Sequence, residues 1–396
     1  LESEITSEAL MELDEDDREK ILSRLSPKEI AKEIEEMDTD DAADVVAELD
    51  DHIQQKVIEK IKDEEHASDI AELLTYDEDT AGALMAKELV QVKETWTVAG
   101  CVREMRRQAE NVTRVHSIYV TDKDGKLKGR LSLKDLLTAS AKTHISEVYI
   151  PKVDYVTVAT EDEEVARIMH KYDLEAIPVV DEEGILVGRI TIDDIVDFIK
   201  EEAEKDYQLA AGISQDVEAD DSILELTKAR LPWLILGLFG GLASVFILED
   251  FESIMLNPRI KALFYFTPLI AAMAGNVGVQ SSAIIVQGLA NDIVKGSLWS
   301  RLLKEVGLSL INGTVLGILV VIFGFIMNYE LDFSITIAVS MLSVIIIAAL
   351  IGTFVPIILD KKGIDPAIAT GPFITTSNDI FGIFLFFYIA KLILGF

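Results

Sequence analysis

The fold of this chain is decided by an apolar stretch near the C-terminus that reads GPFITTSNDIFG over residues 371–382. The stretch lies in a run long enough to cross a bilayer, and Asp379 is the only acid in that run. A lone carboxylate at membrane depth costs about 2.5–3.5 kcal/mol on insertion scales, so such residues typically mark ion paths. The pattern therefore predicts a membrane helix that carries a functional acid.

A narrow polar stripe surrounds this acid. Thr375 lies four residues before Asp379, Pro372 seven before and Gly382 three after, so all four share one face of a helix. Two interpretations are open: Asp379 belongs either to an ion-binding site in a pore or to a contact buried against a neighbouring helix. We favour the ion site, because acids inside membranes are costly unless they have a function.

The charge of the chain is divided between two halves. The 396 residues carry a formal net charge of −33, yet residues 229–396 contain only 10 acids and 9 bases. Nearly all of the negative charge therefore lies in residues 1–228, and a near-neutral apolar half follows. Such an acidic part disfavours nucleic acid and anionic lipid as partners and favours cations.

The cysteine content and the N-terminal residues limit the cellular compartments in which the chain is expected. Cys101 is the only cysteine, so no disulfide framework and no cysteine-based metal site is expected. The first residues are acidic, and no secretory signal is expected among them. The chain begins with Leu1 rather than methionine, which suggests a trimmed N-terminus.

Five apolar segments follow Lys228, each near the ~20 residues that a membrane-spanning helix needs. They are 231–248, 263–289, 306–327, 335–359 and 372–389. With the acidic half inside, the connections 290–305 and 360–366 are also inside and carry five Lys and Arg residues. Of the outside connections, 328–334 carries none and 249–261 is mixed, with Arg259 and Lys261. The positive-inside rule therefore predicts a multi-pass plasma-membrane protein whose N-terminal domains are cytoplasmic.

The second of these segments is unusual for a membrane helix. Its residues 266–282 contain Pro268, Asn276, Gln280, two glycines and two serines. Irregular backbone at membrane depth is tolerated only where protein or a water-filled cavity satisfies it, so we expect a broken helix here. The glycines serve either close helix packing or pore lining, and the presence of Asp379 favours pore lining.

The membrane segments exclude several kinds of chemistry. As bounded above, none contains histidine, cysteine or an acid besides Asp379, and the five histidines all lie in residues 1–228. An intramembrane zinc protease is therefore unsupported, and no nucleophile–base set for an enzyme occurs at membrane depth. One internal acid per chain and an odd number of helices favour a symmetric homodimer that brings two copies of Asp379 together.

Residues 1–75 alternate acidic turns with short amphipathic runs. Residues 13–17, 37–41 and 49–51 each place Asp before such a run. Asp and Thr at these positions are typical of helix N-termini, so this part is predicted to be a small stack of helix pairs. Taken singly, most of these acids are expected to be caps and solvated charges.

An internal repeat follows the helical part. Residues 118–136 match residues 177–195 with a constant offset of 59 residues. Each copy is predicted to form strand, acid–glycine hairpin, strand and helix, after an earlier strand and helix at 89–108 and at 155–171. A Ser/Thr-x-x-Asp corner occurs in both copies, as Ser132…Asp135 and Thr191…Asp194.

The repeat resembles a tandem pair of CBS domains, a regulatory module that commonly binds adenine nucleotides. Three further motifs extend the resemblance to the bacterial MgtE magnesium channel family: DEDTAGALM at 77–85, GNVGVQ at 275–280, and an ordered set over 365–382 that includes Asp379. The implied fold is a multidomain membrane protein. Its parts are an α-helical N domain at 1–76, an α/β pair of CBS domains at 77–139 and 140–202, a connecting plug helix at 203–228, and an all-α transmembrane domain of five helices at 229–396.

This resemblance also implies a function and a set of site residues. The family is a homodimeric Mg²⁺ channel that closes at high cytosolic Mg²⁺ and opens at low Mg²⁺. By position, Asp379 matches the acid that selects hydrated Mg²⁺ in the pore, with Thr375 and Asn276 as further donors. The regulatory Mg²⁺ ligands implied by the resemblance are Asp40, Asp44, Asp173, Asp194, Asp197, Glu202 and Asp206.

The resemblance further implies ATP binding at the CBS pair, through Asp135. This chain departs from nucleotide-binding members at Ser117, Leu174 and Lys134, and from the second-segment motif at Val279. Its N domain is also shorter than is usual in the family.

Two other interpretations remain open. An oxygen-only site argues against zinc but is compatible with a carrier of Mn²⁺ or Co²⁺. The other interpretation is a CBS nucleotide sensor that is only tethered to the membrane, which leaves Asp379 unexplained. Mg²⁺ flux through the purified protein in liposomes distinguishes these possibilities.

Overall fold

Acidic turns divide the first part of the chain into short helices. The computed structural model describes residues 3–11, 13, 15–108, 115, 117–214, 217–219, 221–252, 254, 260–290, 294, 297–369 and 371–395. Asp63 illustrates the turns, because its side chain accepts hydrogen bonds from the backbone N–H groups of Glu65 and His66 and so begins a helix. The helices are α1 (Ser3–Met11), α2 (Glu15–Leu22), α3 (Pro27–Ile34), α4 (Thr39–Ala47), α5 (Asp51–Ile58) and α6 (Glu64–Leu73).

The two copies of the repeat form two similar three-stranded sheets. The first contains β1 (Val90–Lys93), β2 (Ile118–Thr121) and β3 (Leu127–Leu131), and the second contains β4 (Val156–Thr157), β5 (Ala176–Val180) and β6 (Leu186–Thr191). In each sheet the first strand pairs in parallel with the second, which pairs antiparallel with the third. Gly125 and Gly184 have φ of +87° and +83° at the two hairpin turns, a conformation that favours glycine. The predicted repeat is confirmed.

Helices cover these sheets and connect the two copies. They are α7 (Val98–Gln108), α8 (Leu133–Thr138), α9 (Asp162–Tyr172) and α10 (Ile192–Ala211). The N-terminal helices share one hydrophobic core with the second copy, in which Ile34 and Ile70 join Ile177 and Ile190 as fully buried residues. The first copy has a separate core around Cys101. The acidic helices are therefore packed on the second copy of the repeat.

Five helices of the chain are long and apolar enough to cross a membrane among the residues that the structure describes. They are α11 (Ile223–Asp250), α12 (Thr267–Ala290), α13 (Leu298–Ile326), α14 (Leu331–Asp360) and α15 (Gly371–Leu394). Helices α12, α14 and α15 pack against one another, whereas α11 packs on α15 and α13 packs on α14. The prediction of five membrane helices is confirmed, and the chain divides into two units, Leu1–Lys200 and Glu201–Phe396.

The second membrane helix differs from its prediction. A broken helix was expected, but α12 is continuous from Thr267 to Ala290 and follows a 3₁₀ helix at Lys261–Phe266. Pro268 is the second residue of α12, where a missing N–H breaks no intrahelical hydrogen bond. The expectation of a broken helix is therefore wrong, because the proline lies in the first turn rather than in the helix interior.

The connecting segment also differs from the single helix expected over residues 203–228. Helix α10 ends at Ala211, and Gly212 follows it with φ of +81°. Helix α11 begins after Ser222, which exchanges hydrogen bonds with Glu225 in a capping box. A glycine stop signal and a serine start signal thus divide this segment between two helices.

Candidate functional site

Asp379 lies where α15 packs on α12 in the second unit, Glu201–Phe396, which we call the membrane unit. A methyl group placed on Gly275 of α12 would lie 4.0 Å from Asp379 Oδ1 and 3.3 Å from Thr375 Cγ2. Asp379 and Thr375 are therefore on one face of α15, as the sequence predicted, and that face meets a glycine. Gly275 serves close helix packing and brings the carboxylate to α12 at the same time.

A second polar residue lies next to this acid. Asn378 is 1% exposed, and neither its amide nitrogen nor its amide oxygen has a hydrogen-bond partner within the described residues. Its amide packs on Gly278 of α12. Buried amides without partners are costly, so Asn378 marks a polar spot in the membrane unit that sequence reasoning missed.

The two predicted partners of Asp379 differ in position. The Thr375 hydroxyl donates to the Gly371 carbonyl at 3.0 Å, so its proton is used within α15 while its oxygen can still accept a hydrogen bond. Asn276 is exposed on α12. The contacts among the described residues bring Thr375 and Asp379 together at Gly275, but they do not include Asn276.

The membrane helices hold another acid that the predicted segment boundaries left out. Glu305 lies in α13, which begins at Leu298 rather than at the predicted residue 306. Ser281 of α12 donates a hydrogen bond of 2.6 Å to Glu305 Oε1. Only the observed start of α13 includes this residue in a membrane helix, so the sequence boundaries could not indicate it.

A cluster of carboxylates lies in the first unit, where helix α4 begins. We call Asp38, Asp40, Asp41, Glu88 and Asp194 the carboxylate cluster. One oxygen from each of Asp38, Asp40 and Glu88 can be chosen so that all three lie within 4.8 Å of one another. Side-chain oxygens at this spacing suit a hard divalent cation, bound directly after small rotations or through its waters.

Hydrogen bonds hold the carboxylates of this cluster in place. Thr39 Oγ1 donates to Glu88 at 2.8 Å, and the Thr39 backbone N–H donates to the same carboxylate at 3.2 Å. Thr191 Oγ1 donates to Asp194 at 2.5 Å. Buried Arg189 donates to the Glu88 backbone carbonyl and lies 3.7 Å from Asp38. The N-terminal helices and the second copy of the repeat thus each contribute to one polar centre.

The electrostatics of the cluster are unfavourable without a cation. Burial raises the pKa of Asp40 well above its ordinary range, and the charges of Asp194, Asp41 and Glu88 add to this effect. Burial together with other members of the cluster raises the pKa of Asp41 to about 6. Burial also raises the pKa of Glu88, although hydrogen bonds from Thr39 oppose the shift. Such grouped shifts are typical of functional sites.

Of the predicted regulatory acids, the structure brings Asp40 and Asp194 together. Sequence reasoning missed Asp38, Asp41 and Glu88, and the signal that could have found Glu88 is its position shortly after the DEDTAGALM motif. Asp44 is exposed on α4, Asp197 is exposed on α10, and Asp173 is exposed at the C-terminal end of α9 with φ of +50°. Among the described residues, no hydrogen bond or ion pair joins Asp173 or Asp197 to the cluster.

Two predicted acids of α10 lie in the second unit. Glu202 forms an ion pair with Lys205 at 2.8 Å. Partial burial and the charges of Asp365 and Glu202 raise the pKa of Asp206. Asp365 lies in the connection between α14 and α15, and its carboxylate accepts a hydrogen bond from the Ala367 N–H. Asp206 therefore lies near an acid of the membrane unit that sequence reasoning did not select as a site residue.

Asp135 is the residue that was predicted to bind ATP. Asp135 is partly exposed in the first turn of α8, after Ser132 at the N-cap. The Ser132 side chain forms no capping hydrogen bond, whereas the equivalent Thr191 donates to Asp194. ATP binding through Asp135 stays a prediction from sequence.

Five membrane helices with an interior acid, attached to an acidic part that contains a two-copy repeat, define a membrane transport protein for cations. Three family models match the chain: the MgtE intracellular N domain at residues 1–79, the CBS domain at 81–142 and 145–201, and the MgtE divalent cation transporter domain at 267–389. The chain belongs to the MgtE family of divalent cation transporters.

Two magnesium transporters agree with this family. The magnesium transporter MgtE of Thermus thermophilus is 37% identical over 322 residues, which are 81% of this chain and 71% of the relative. The magnesium transporter MgtE of Enterococcus faecalis is 36% identical over 320 residues, or 81% and 70%. A crystal structure of the cytosolic domain of the Mg²⁺ channel MgtE in complex with ATP has 39% identity and a TM-score of 0.47, covering 50% of this chain and 81% of that one.

These matches decide several predictions. The resemblance to the MgtE family is confirmed, and so is the fold of N domain, CBS pair and five membrane helices. A multi-pass membrane protein that transports cations, rather than an enzyme, is confirmed by the family and by the five apolar helices.

Proposed function

We propose that the chain forms a homodimeric Mg²⁺ channel or transporter in the plasma membrane, which cytosolic Mg²⁺ closes. The observation that carries this proposal is Asp379, an acid held beside Gly275 inside the membrane unit of an MgtE family member. Relatives that share more than a third of their aligned residues are named magnesium transporters, which supports Mg²⁺ as the ion.

The chemistry at Asp379 suits a hydrated ion. Mg²⁺ gives up its waters reluctantly and usually keeps several of them, so a pore needs few protein donors. Asp379 supplies negative charge, and the lone pairs of Thr375 can accept a hydrogen bond from a water of the ion. Asn276 is exposed on α12 and is proposed as a further donor. Two copies of the chain would double this small donor set.

Exposed apolar residues support the homodimer. Val196 and Ile199 are 55% and 45% exposed on α10, and Leu133 and Leu137 are 56% and 72% exposed on α8. Both helices belong to the repeat, and large apolar side chains in exposed positions on a soluble domain typically mark an interface. A symmetric pair of chains would bury them.

The carboxylate cluster is proposed as a regulatory Mg²⁺ site. Two carboxylates ~6 Å apart repel by roughly 3 kcal/mol at an effective dielectric constant of 20. A bound Mg²⁺ would replace this repulsion by attraction and tighten the contact between the N domain and the second CBS domain. At low Mg²⁺ the repulsion would loosen the same contact. The cluster is thus a two-state element that the ligand biases.

Helix α10 offers a covalent route from this site toward the membrane helices. It begins at Ile192, beside the cluster member Asp194, and continues without a break past Asp206 to Ala211. A rigid helix transmits a displacement at one end to the other. We propose that Mg²⁺ at the cluster and at Asp206 sets the position of α10, with high Mg²⁺ closing the pore.

The remaining predicted acids complete this regulatory proposal. Asp44, Asp173 and Asp197 are exposed carboxylates of the N domain and the second CBS domain. Glu202 lies one turn before Asp206 on α10. Exposed acids of this kind bind Mg²⁺ weakly through its waters, which suits a sensor of millimolar concentrations.

The experiment that tests the proposal is Mg²⁺ uptake by the purified full chain in liposomes. We expect the Asp379→Asn variant to lose Mg²⁺ flux while its assembly is unchanged. Asp250→Asn is the matched control, because Asp250 is an exposed acid at the end of α11. Unchanged flux in Asp379→Asn would contradict the proposed pore site.

Regulation is tested separately by limited proteolysis. We expect millimolar Mg²⁺ to protect residues 1–228 from cleavage in the wild-type chain, and to protect them less in Asp40→Asn. Equal cleavage with and without Mg²⁺ would exclude a cation-bridged closed state. The same flux assay with Mn²⁺ and Co²⁺ distinguishes a Mg²⁺ channel from a broader carrier, since an oxygen-only site is compatible with all three ions.

A further inference from the structure

A groove lies between α13 and α14 in the membrane unit. Its volume is about 420 Å³, within the ~300–1,000 Å³ of typical small-ligand sites. Its lining is entirely apolar: Trp299, Leu302, Leu303 and Val306 from α13, and Ile347, Leu350, Ile351, Phe354 and Val355 from α14. None of these residues belongs to the site around Asp379.

The sequence explains why the helices separate here. Farther along α13, Gly313 faces Leu342 and Gly324 faces Ser334, so the backbones approach closely at that end. The other end of α13 carries Leu302, Leu303 and Val306 at the equivalent positions. Bulky side chains of both helices line this end, and the groove lies between them.

The charged end of the groove restricts its occupant. Lys361 follows Phe354 by seven residues and continues the same side of the helix, and Lys362 comes directly after it in the turn that ends α14. Lys361 keeps helical backbone angles, with φ −61° and ψ −16°, and both lysines are exposed. Asp360 lies on a different side of α14 from Phe354 and Val355. Two exposed lysines thus follow the last lining residues of α14, and Trp299, which is 74% exposed, lines the groove from α13.

We propose that this groove is a binding site for an anionic phospholipid. One acyl chain fills the apolar slot between α13 and α14, and the phosphate group lies on Lys361 and Lys362. Tryptophan and lysine at the end of a membrane helix are typical of the interface where headgroups lie. Apolar lining at membrane depth favours a lipid chain, and the lysine pair favours a negative headgroup over a zwitterionic one.

The first test uses the fluorescence of Trp299 in the full chain. Trp96→Phe and Trp233→Phe leave Trp299 as the sole tryptophan of the chain. The protein is reconstituted in phosphatidylcholine vesicles with a minor fraction of either phosphatidylglycerol or phosphatidylcholine brominated in the acyl chain. We expect brominated phosphatidylglycerol to quench Trp299 more strongly. Equal quenching by the two lipids would overturn the proposal.

The headgroup contact is tested by Lys361→Gln with Lys362→Gln in the same background. A cationic residue near an anionic surface contributes about 1 kcal/mol, so two lysines correspond to a roughly 30-fold loss of lipid selectivity. Lys391→Gln is the matched control, because this exposed lysine lies at the end of α15. A selectivity that persists without Lys361 and Lys362 would contradict the assigned headgroup site.

The slot is tested by Val306→Phe, which fills it, with Val315→Phe as a control at an exposed position of α13 outside the groove. Native mass spectrometry of the full chain then measures retained phosphatidylglycerol. We expect retention to be lost in Val306→Phe and kept in Val315→Phe. Unchanged retention would overturn the proposal, and so would a change of oligomeric mass in its place, which would identify the groove as a protein interface.

Discussion

The carboxylate of Asp379 on α15 faces the bare backbone of Gly275 on α12. A methyl group at Gly275 would lie 4.0 Å from Asp379 Oδ1, and it would crowd the Thr375 methyl at 3.3 Å. The acid is thus near a neighbouring helix without a side chain between them. The ion-site interpretation and the helix-packing interpretation of Asp379 therefore both apply at this position. Gly275 allows the helices to pack closely, and it also leaves space beside the carboxylate.

Substituting this glycine tests the arrangement. We expect Gly275→Val to reduce Mg²⁺ flux in liposomes strongly, because the added methyl groups force Thr375 and Asp379 to move. Overpacking of this kind costs about 1–3 kcal/mol, which still permits assembly. Gly237→Val is the control, since a methyl group at Gly237 would have no neighbour within 4 Å. Normal flux in Gly275→Val would show that the space beside Asp379 is not needed.

Arg189 is expected to hold the carboxylate cluster together when Mg²⁺ is absent. It is buried, lies 3.7 Å from Asp38 and donates to the Glu88 carbonyl. We expect Arg189→Met to lower the free energy of unfolding by about 1.5–3 kcal/mol. Mg²⁺ should restore part of this loss, because a ligand that binds the folded state stabilises it. Thermal melting with and without Mg²⁺ measures both effects.

The control for this prediction is Arg103→Met, at an exposed position of α7. Its melting temperature should stay near that of the wild type, with the same response to Mg²⁺. An Arg189→Met variant that melts like the wild type would show that the cluster does not depend on this cation.

The stability of the first unit should depend on pH in a defined direction. The folded-state pKa of Asp41 is about 6, above the ordinary value of 3.8, and the pKa of Asp40 is raised as well. The folded state therefore binds protons more tightly than the unfolded chain. This preference stabilises the folded state at low pH, and its contribution is lost as the pH rises from about 4 through about 6.

Mg²⁺ should remove this dependence, because the cation binds the ionised carboxylates and compensates for their repulsion. The measurement is the melting temperature across this pH range, in EDTA and in Mg²⁺. We expect Asp41→Asn to flatten the curve recorded in EDTA. A melting temperature that rises with pH in EDTA would contradict the sign of the effect.

Glu305 should stabilise the membrane unit through Ser281. Their hydrogen bond of 2.6 Å joins α12 to α13, and interhelical hydrogen bonds in membranes are worth about 0.6–2 kcal/mol. We expect Glu305→Ala to lower the melting temperature in detergent and Glu305→Gln to retain most of it, since an amide oxygen also accepts from Ser281. Lys304→Ala, at the exposed neighbouring position, serves as the control. Equal melting of Glu305→Ala and wild type would exclude this role.

Local patterns were sufficient for the elements of the fold. The five apolar runs predicted five membrane helices, and the 59-residue offset predicted two similar sheets with their hairpins. These features depend on hydrophobicity, period and glycine content, which are properties of neighbouring residues. The boundaries were less accurate. Moving the start of α13 to Leu298 brought Glu305 into a membrane helix, and Gly212 and Ser222 divided the expected connecting helix in two.

The sequence by itself determined that Asp379 lies in a membrane helix with Thr375 on the same face, because helical spacing alone places them there. It also determined the family, through the order of its motifs. Only the tertiary structure decided which residues from distant segments meet: Gly275 with Asp379, Ser281 with Glu305, and Asp38 with Glu88. The physical reason is that spacing along one chain dictates which face a residue occupies, whereas packing between elements decides what that face touches.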